Sequence, residues 1–323
     1  MSKFSQDVAS IVIVNYKTPD LCINCLKSVH QNSTGLDILV VDNASNDGSI
    51  DKINRAILQN SWNMNPTISS KFNGGFSAGN NLGINASASD YILLLNSDTI
   101  VLPRAIELLI KTLDDNPKMG IASPRLESPD GSPQESCFRF QRPISELIRS
   151  ACTGVITKVL RRYDIPAGVS PVVSYPEWTS FACVLIRRDV FGDIGLLDNE
   201  FFMYFEDVDF CKRARDFGWN IINNPEARVV HFGSGSSNVG NEIASRNRPP
   251  RYWYESRTRY YYKHYGYGGL LKANIFWHVG WLIAMLRKLF NRGYQPNVCD
   301  RQWYDIWTNF LHPNAVYIHP DKY

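Results

Sequence analysis

The 323-residue chain has little excess charge of either sign: 34 Lys and Arg stand against 31 Asp and Glu, a formal net charge of +3. That near balance excludes nucleic-acid binding driven by overall charge and leaves only local basic faces. Glycine is absent from the first turn. Ser10 to Val14 is a β-branched strand run, and Asn15-Tyr16-Lys17-Thr18-Pro19-Asp20 follows it without the glycines of a dinucleotide fingerprint. The one Gly/Asn-rich loop, Asn73 to Asn81, lacks both the GxGxxG spacing and a GK[ST] ending, which removes the P-loop reading. The seven cysteines, at 22, 25, 137, 152, 183, 211 and 299, make no ladder of metal spacings, and a reducing cytosol suits them. Cys22 and Cys25 do form a CxxC, but LCINCLKSV has helical periodicity and no second pair, so plain burial is expected. No secretory leader is legible in the polar N-terminus. The most apolar late segment, Ile275 to Leu286, is about a dozen residues long, contains His278, and is short of a bilayer span.

What is present is βα alternation. The run Tyr91-Ile92-Leu93-Leu94-Leu95 is a strand buried on both faces, and it stops at the polar turn Asn96-Ser97-Asp98-Thr99. Ser10 to Val14, Ile38 to Val41 and a third strand near Thr67 to Ser69 precede it, with helices between; Pro19 marks the start of the first. Four such strands within a hundred residues predict a parallel, doubly wound sheet. In such sheets ligands collect at the carboxyl ends of strands. Asp98 there offers oxygen to Mg²⁺ or Mn²⁺, or alternatively caps a helix beginning near Pro103. The Asn73-Gly74-Gly75 loop, opening a helix, lets backbone approach a nucleotide, or else is built for turn geometry alone.

Further on, Pro129-Asp130-Gly131-Ser132 predicts a tight hairpin turn, and Ile144 to Arg162 a basic helical stretch. Arg149, Arg161 and Arg162 are either phosphate contacts or a solvated face. An aromatic cluster, Phe201 to Phe205, leads into Glu206, Asp207 and Asp209. Aromatics exclude water and so raise the basicity of a neighbouring carboxylate. On a helix starting near Glu206, Asp207–Arg215 or Asp209–Arg213 ion pairs are the structural alternative, favoured for Asp209. His231 leaves a strand into the small-residue loop 233–237, where an imidazole can meet a metal or simply be hydrogen-bonded. Beyond Asn238, Arg251, Arg257, Arg259 and Lys263 alternate with Tyr and Trp, and Ile275 to Phe290 reads as an interfacial helix or as a helical lid or oligomer contact.

The segments IVIVNYKTPD, VVDNASNDGS, FNGGFSAGNN and LLLNSDT, in this order, resemble the nucleotide-binding half of family 2 glycosyltransferases with the GT-A fold. The resemblance is strongest to the bacterial branch that includes rhamnosyltransferases of cell-surface polysaccharide (O-antigen-type) assembly. It extends through SFACVLIRRDVFGDIGLLDNEFFMYFEDVDFCKRARDFGWNI and PEARVVHFGSGSS, covering about residues 8–237. It implies an α/β GT-A catalytic domain over 1–237, with a nucleotide half at about 8–122 and an acceptor half at about 123–237. A helical region, 238–323, follows. It also implies a donor site of Asn15, Asp42, Asn43, Asn73, Gly74, Gly75, Asn80, Asn96 and Ser97. Within it Asp42 would meet the pyrimidine N3–H, an acceptor-only partner for a donor; the alternative for Asp42 is an Asx turn. Asp98 would be the last acid of a DxD-type motif in which Asn96 replaces the first, and His231 a second cation ligand. Asp207 would be the catalytic base, with Glu206 positioning the acceptor or that base.

The resulting expectation is an inverting, Mg²⁺- or Mn²⁺-dependent glycosyltransferase. It would use a dTDP- or UDP-sugar, L-rhamnose among the candidates, and a glycan or polyprenyl-diphosphate-linked acceptor. It would be cytoplasmic or peripheral on the inner membrane face, and would not bind nucleic acid. A sugar-phosphate nucleotidyltransferase, which should carry a basic, glycine-rich turn after the first strand, and a non-catalytic sugar-binding protein are the rival readings.

Overall fold

The computed structural model describes residues 8–33, 35–233, 239–291 and 293–322. The polar N-terminus, most of the small-residue loop after His231 and the expected domain boundary at 237 lie outside them. In chain order the main elements are β1 (Ala9–Asn15), α1 (Pro19–Asn32), β2 (Asp37–Asp42), α2 (Ser49–Gln59), β3 (Ile68–Ser69), α3 (Gly75–Ala86), β4 (Tyr91–Asn96), β5 (Thr99–Val101), α4 (Ala105–Asp114), β6 (Met119–Glu127), α5 (Ser145–Ala151), α6 (Gly154–Val159), β7 (Cys183–Arg187), α7 (Arg188–Ile194), α8 (Glu206–Phe217), β8 (Asn220–His231), α9 (Val239–Ala244) and α10 (Arg251–Phe290). They cluster into two units: residues 1–137, 168–199 and 207–237, and residues 138–167, 200–206 and 238–323.

The first unit is built on one eight-stranded sheet of order β3-β2-β1-β4-β7-β6-β8-β5. β1 pairs in parallel with β2 and β4, and β6 with β8. β7 runs antiparallel to both β4 and β6, and β5 antiparallel to β8. β4 is central, as its continuous apolar run predicts: Ile92, Leu93 and Leu94 are wholly buried. Its polar turn is followed by β5, so Asp98 is not a helix cap; Arg104, in the left-handed region, precedes α4 with no side-chain cap bond. α1 begins at Pro19, where a missing N–H costs nothing. Its inward face carries Cys22, Cys25, Leu26 and Val29. Burial pushes the Cys25 thiol up to about 12, so this CxxC is core packing.

Part of the glycine-rich stretch is also packing. A Cβ on Gly79 would sit 2.8 Å from Val14 Cγ1, and one on Gly83 2.3 Å from Val12 Cγ1. The pair, four residues apart, lets the α3 backbone lie directly on β1. The hairpin expected after β6 is present: Ser128 N–H donates to Ser132 O at 2.8 Å, Gly131 takes φ +81°, and Gln134 N–H returns to Leu126 O at 2.8 Å.

In the second unit α10 is broken at Gly266, whose φ of 66° and ψ of −175° no helix contains. The aromatic–basic half before the break turns inward, against the expectation of a lipid-facing surface. Trp253, Tyr254, Tyr260, Tyr261 and Arg257 are all buried. Arg257 Nε and the Tyr261 hydroxyl both reach Glu146 Oε1, at 3.3 and 2.9 Å, and Arg149 holds Glu146 Oε2 at 2.9 Å. Burial alone would raise the Glu146 carboxyl; Arg149 and Arg257 outweigh it and hold it below its ordinary value. Arg149 also lies over the Trp253 ring at 5.3 Å, so it is an internal ion-pair partner and not a phosphate contact.

Past Gly266 the helix has two apolar sides. Leu270, Ala273, Trp277, Gly280 and Ala284 are buried, and a Cβ on Gly280 would meet Leu147 O of α5 at 2.6 Å. Leu271, Ile275, Val279, Leu282, Leu286 and Leu289 are exposed. By length and composition this helix could cross a membrane, which the short apolar run in the sequence did not predict; 33% of its apolar window is buried.

Gly83→Ala tests the close approach of α3 to β1. It should cost about 1–3 kcal/mol through overpacking, despite the roughly 1 kcal/mol that alanine gains in a helix. Adding Val12→Ala should give back part of the loss in a denaturant titration. A neutral or stabilising Gly83→Ala would show that the contact is slack.

Candidate active site

Three groups of polar side chains gather where strands of the first unit end. At the ends of β1 and β2, Asn15 Nδ2 donates to Asp42 Oδ1 at 2.8 Å. Ser45 closes the turn, its N–H on Asp42 Oδ2 at 3.0 Å and its hydroxyl on Oδ1 at 2.6 Å. Asp42 thus does make the Asx-type turn. An ionised carboxylate has about four acceptor sites, and three are taken, which leaves one on Oδ2. Asn43 Nδ2 donates to Asn73 Oδ1 at 2.8 Å and to Gly75 O at 2.9 Å, tying β2 to the loop that opens α3. Asn43 Oδ1 is buried and has no partner among the described residues. Gly75 takes φ +78°, where a side chain would be strained, and Gly74 packs against Phe72 and Ala78. Asn80 is buried, and its Nδ2 donates to Phe76 O within α3.

Thr18, which the sequence did not single out, links this group to the next. Its hydroxyl lies 3.5 Å from Asn15 Oδ1 and 3.4 Å from Ser97 Oγ. The Asn96–Asp98 turn leaves β4 beside β7, with Asn96 N–H on Ala182 O at 2.9 Å. Ser97 and Asp98 are buried, and Asp98 borders a cleft of about 310 Å³ that Leu21, Lys27, Thr99 and Phe232 also line. β8 delivers His231 to Asp98: the Phe232 N–H donates to Asp98 O at 3.0 Å, and His231 Nε2 stands 3.5 Å from Asp98 Oδ1.

The donor set fits a hard divalent cation. Two atoms bound at about 2.1 Å in neighbouring octahedral positions lie about 3 Å apart, close to the observed separation. No cluster of three or more His, Cys, Asp or Glu side chains suited to a metal occurs among the described residues. A cation held by Asp98 and His231 alone would need substrate phosphates and water to complete its coordination.

The third group opens α8. Asp209 is fully buried and pairs with Arg213 at 2.9 Å, the ion pair favoured for it. Arg213 also donates to Ile194 O and Leu196 O, which makes this pair a brace for the loop before the acids. Arg215 bonds Asn220 Oδ1 instead of Asp207. Asp207 is half-buried, and desolvation lifts its carboxyl to about 6, against N–H contacts from Val208 and Phe181 that lower it. Phe181 adjoins Ala182, the partner of Asn96, so Asp207 is anchored to the same β4–β7 corner that carries Asp98. Glu206 is buried beside it in sequence. Tyr204 and Phe205, just before these acids, have φ of +68° and +69°. Two bulky residues in the left-handed region cost about 1–3 kcal/mol each, strain of the kind that gathers at functional sites.

Comparisons with known proteins bear on the family and the fold. The sequence pattern of the family described as Glycosyl transferase family 2 matches residues 10–157. The N-acetylglucosaminyl-diphospho-decaprenol L-rhamnosyltransferase of Mycobacterium tuberculosis is 31% identical over 157 residues, 46% of this chain and 48% of the relative, so about half of that protein's length is spanned. The low-salt glycan biosynthesis hexosyltransferase of Haloferax volcanii is 30% identical over 235 residues, 70% of this chain and 67% of the relative. In fold, the chain is similar to a mannosyltransferase from Pyrobaculum calidifontis solved with GDP-Man and Mn²⁺ (TM-score 0.56, 14% identity, 96% of this chain and 86% of that one). It is also similar to GalNAc-T7 solved with UDP, GalNAc and Mn²⁺ (TM-score 0.57, 14% identity, 90% and 58%). The fold is GT-A, and the chain belongs to glycosyl transferase family 2.

Proposed function

We propose that this glycosyltransferase moves a sugar, L-rhamnose by its likeness to the mycobacterial relative, from a dTDP- or UDP-linked donor to a hydroxyl of a lipid-linked saccharide, with inversion. The observation that carries the reading is Asp207, a desolvated carboxylate anchored beside the turn that presents Asp98. Asp42 keeps one acceptor site for a pyrimidine N3–H, and the unpartnered Asn43 Oδ1 is an acceptor for a second donor group such as a ribose hydroxyl. Asp98 and His231 would hold Mg²⁺ or Mn²⁺. Such a cation supplies charge neutralisation at a diphosphate leaving group.

Asp207 takes the proton from the acceptor hydroxyl as its oxygen bonds the anomeric carbon and the bond to the diphosphate breaks on the opposite face. A carboxyl near 6 is a stronger base than one at its ordinary 3.8 yet is still ionised at pH 7. A nucleotidyltransferase needs a basic phosphate-gripping turn after β1. Asn15 there is instead buried on Asp42, which favours glycosyl transfer over that rival.

The acceptor's lipid has a matching surface in the second unit. From Ser256 to Cys299 the sequence has seven Lys and Arg and no acidic residue. The exposed row from Leu271 to Leu289 lies on the helix face opposite the buried one. An apolar outer stripe on a cationic segment suits the headgroup level of an anionic membrane. Arg287 Nη1 donates to Cys152 O at 2.8 Å, which ties the basic end of the helix to the chain just before α6.

Asp207→Asn should cut kcat by at least about 10²-fold while leaving donor affinity nearly unchanged. In the wild type, kcat/KM should fall below a pH near 6 as Asp207 takes a proton. The folded pKa lies above the unfolded one, so the native state binds more protons between about pH 4 and 6 and loses stability as pH rises through that window. Asp207→Asn should therefore also raise the melting temperature at pH 7, by the equivalent of about 1–2 kcal/mol. An active Asp207→Asn protein would remove Asp207 as the base, and one less stable than the wild type would remove the raised carboxyl.

Chelation with EDTA should abolish transfer, and Mn²⁺ or Mg²⁺ should restore it; undiminished turnover without metal would overturn the cation role of Asp98 and His231.

Replacing Leu282 and Leu286 with Glu should weaken sedimentation with phosphatidylglycerol vesicles by at least about tenfold and leave the fold unchanged. Retained binding would mean that another surface meets lipid.

A further inference from the structure

We infer that Gln134 is a positioning residue for His231. Its side-chain amide dictates which imidazole nitrogen carries the proton and so turns a bare Nε2 toward Asp98. The inference rests on reading Asp98 and His231 as cation ligands, and it assigns a task to a residue outside that pair.

The hairpin after β6 returns Gln134 to the sheet, and Glu127 forms an antiparallel bridge with Pro133. β8 runs along β6 with Val230 opposite Glu127, so Gln134 arrives next to His231, the following residue. Gln134 Nε2 lies 2.7 Å from the His231 backbone oxygen and 3.2 Å from Ser128 Oγ. A carbonyl oxygen can only accept, so the atom facing it is the NH₂ group, and the amide oxygen is left facing the ring. Gln134 Oε1 stands 3.2 Å from His231 Nδ1. An amide oxygen also only accepts, so Nδ1 must carry the hydrogen. A neutral imidazole has one N–H. Nε2 therefore presents its lone pair, and it does so 3.5 Å from Asp98 Oδ1, a second acceptor. The two acceptors converge on one space, an arrangement that a divalent cation stabilises and that the opposite tautomer, with Nε2–H donated to Asp98, would abolish. Hydrogen-bond partners of this kind fix the orientation and tautomer of metal-binding histidines, and their loss costs typically about 10–100-fold in metal affinity.

The test separates this role from simple bracing of the chain. Gln134→Leu loses both contacts. Gln134→Glu loses the donor to the His231 carbonyl but keeps an acceptor for Nδ1–H. Full-length, metal-free protein with ¹⁵N-labelled histidine rings is observed by long-range ¹H–¹⁵N correlation at about pH 8, above the ordinary imidazole pKa, with His231→Asn to assign the signals. Mn²⁺ affinity is measured on the same samples by electron paramagnetic resonance. Wild type should show the Nδ1–H form of His231. Gln134→Leu should shift toward Nε2–H and bind Mn²⁺ about 10–100-fold more weakly, whereas Gln134→Glu should keep the tautomer and bind within about threefold.

An Nε2–H signal in the wild type overturns the inference, and so does a folded Gln134→Leu protein that keeps both tautomer and affinity. If Gln134→Leu fails to fold, the wild-type spectrum and Gln134→Glu decide the matter alone. If the Nδ1–H form is found but the wild type binds no Mn²⁺, the tautomer assignment stands and it is the cation reading of the site that falls.

Discussion

The structure of the first unit depends on burying β4 on both faces. A strand with no wet side must satisfy its backbone entirely through its neighbours. Here β1 in parallel and β7 in antiparallel supply that ladder. The same burial pushes every polar side chain to the strand's end, where Asn96, Ser97 and Asp98 appear together. β7 fixes the corner further: Ala182 accepts from Asn96, and its neighbour Phe181 supports Asp207. Asp98 and the proposed base are thus held by adjacent links of one ladder, although more than a hundred residues separate them in sequence.

The site carries local costs. Asp207 is kept where charge is disfavoured, and the backbone before it is held in the left-handed region at Tyr204 and Phe205. Asp209 shows the contrasting solution two residues on. It is more deeply buried, but Arg213 neutralises it and the pair fastens the loop at Ile194 and Leu196. One acid is left without an arginine and becomes basic; the other is spent on structure.

The second unit is organised by a different buried charge. Glu146 collects Arg149, Arg257 and the Tyr261 hydroxyl in a core otherwise made of aromatic rings. Breaking one partner of such a group leaves an uncompensated charge. This is why Arg257 of α10 points inward, and the exposed apolar surface of the helix is the aliphatic row past the Gly266 break.

Much of this was legible in the residues themselves. Double-sided apolar runs located β1, β2 and β4, Pro19 located the start of α1, and polar strand ends located Asp42 and Asp98, because burial and backbone sterics act locally and leave a periodic trace. The acidic helix and its Asp209–Arg213 pair followed from helical spacing alone. Tertiary structure decided the rest. It inserted β7 between β4 and β6, spent Gly79 and Gly83 on packing against β1, and turned the Arg/Tyr face of α10 into a core. It also brought Thr18 to Asn15 and Ser97, and Gln134 to His231. None of these has a local signature, since a hydrogen bond across 97 residues depends on strand order and register, and neither is encoded in the spacing of neighbours along the chain.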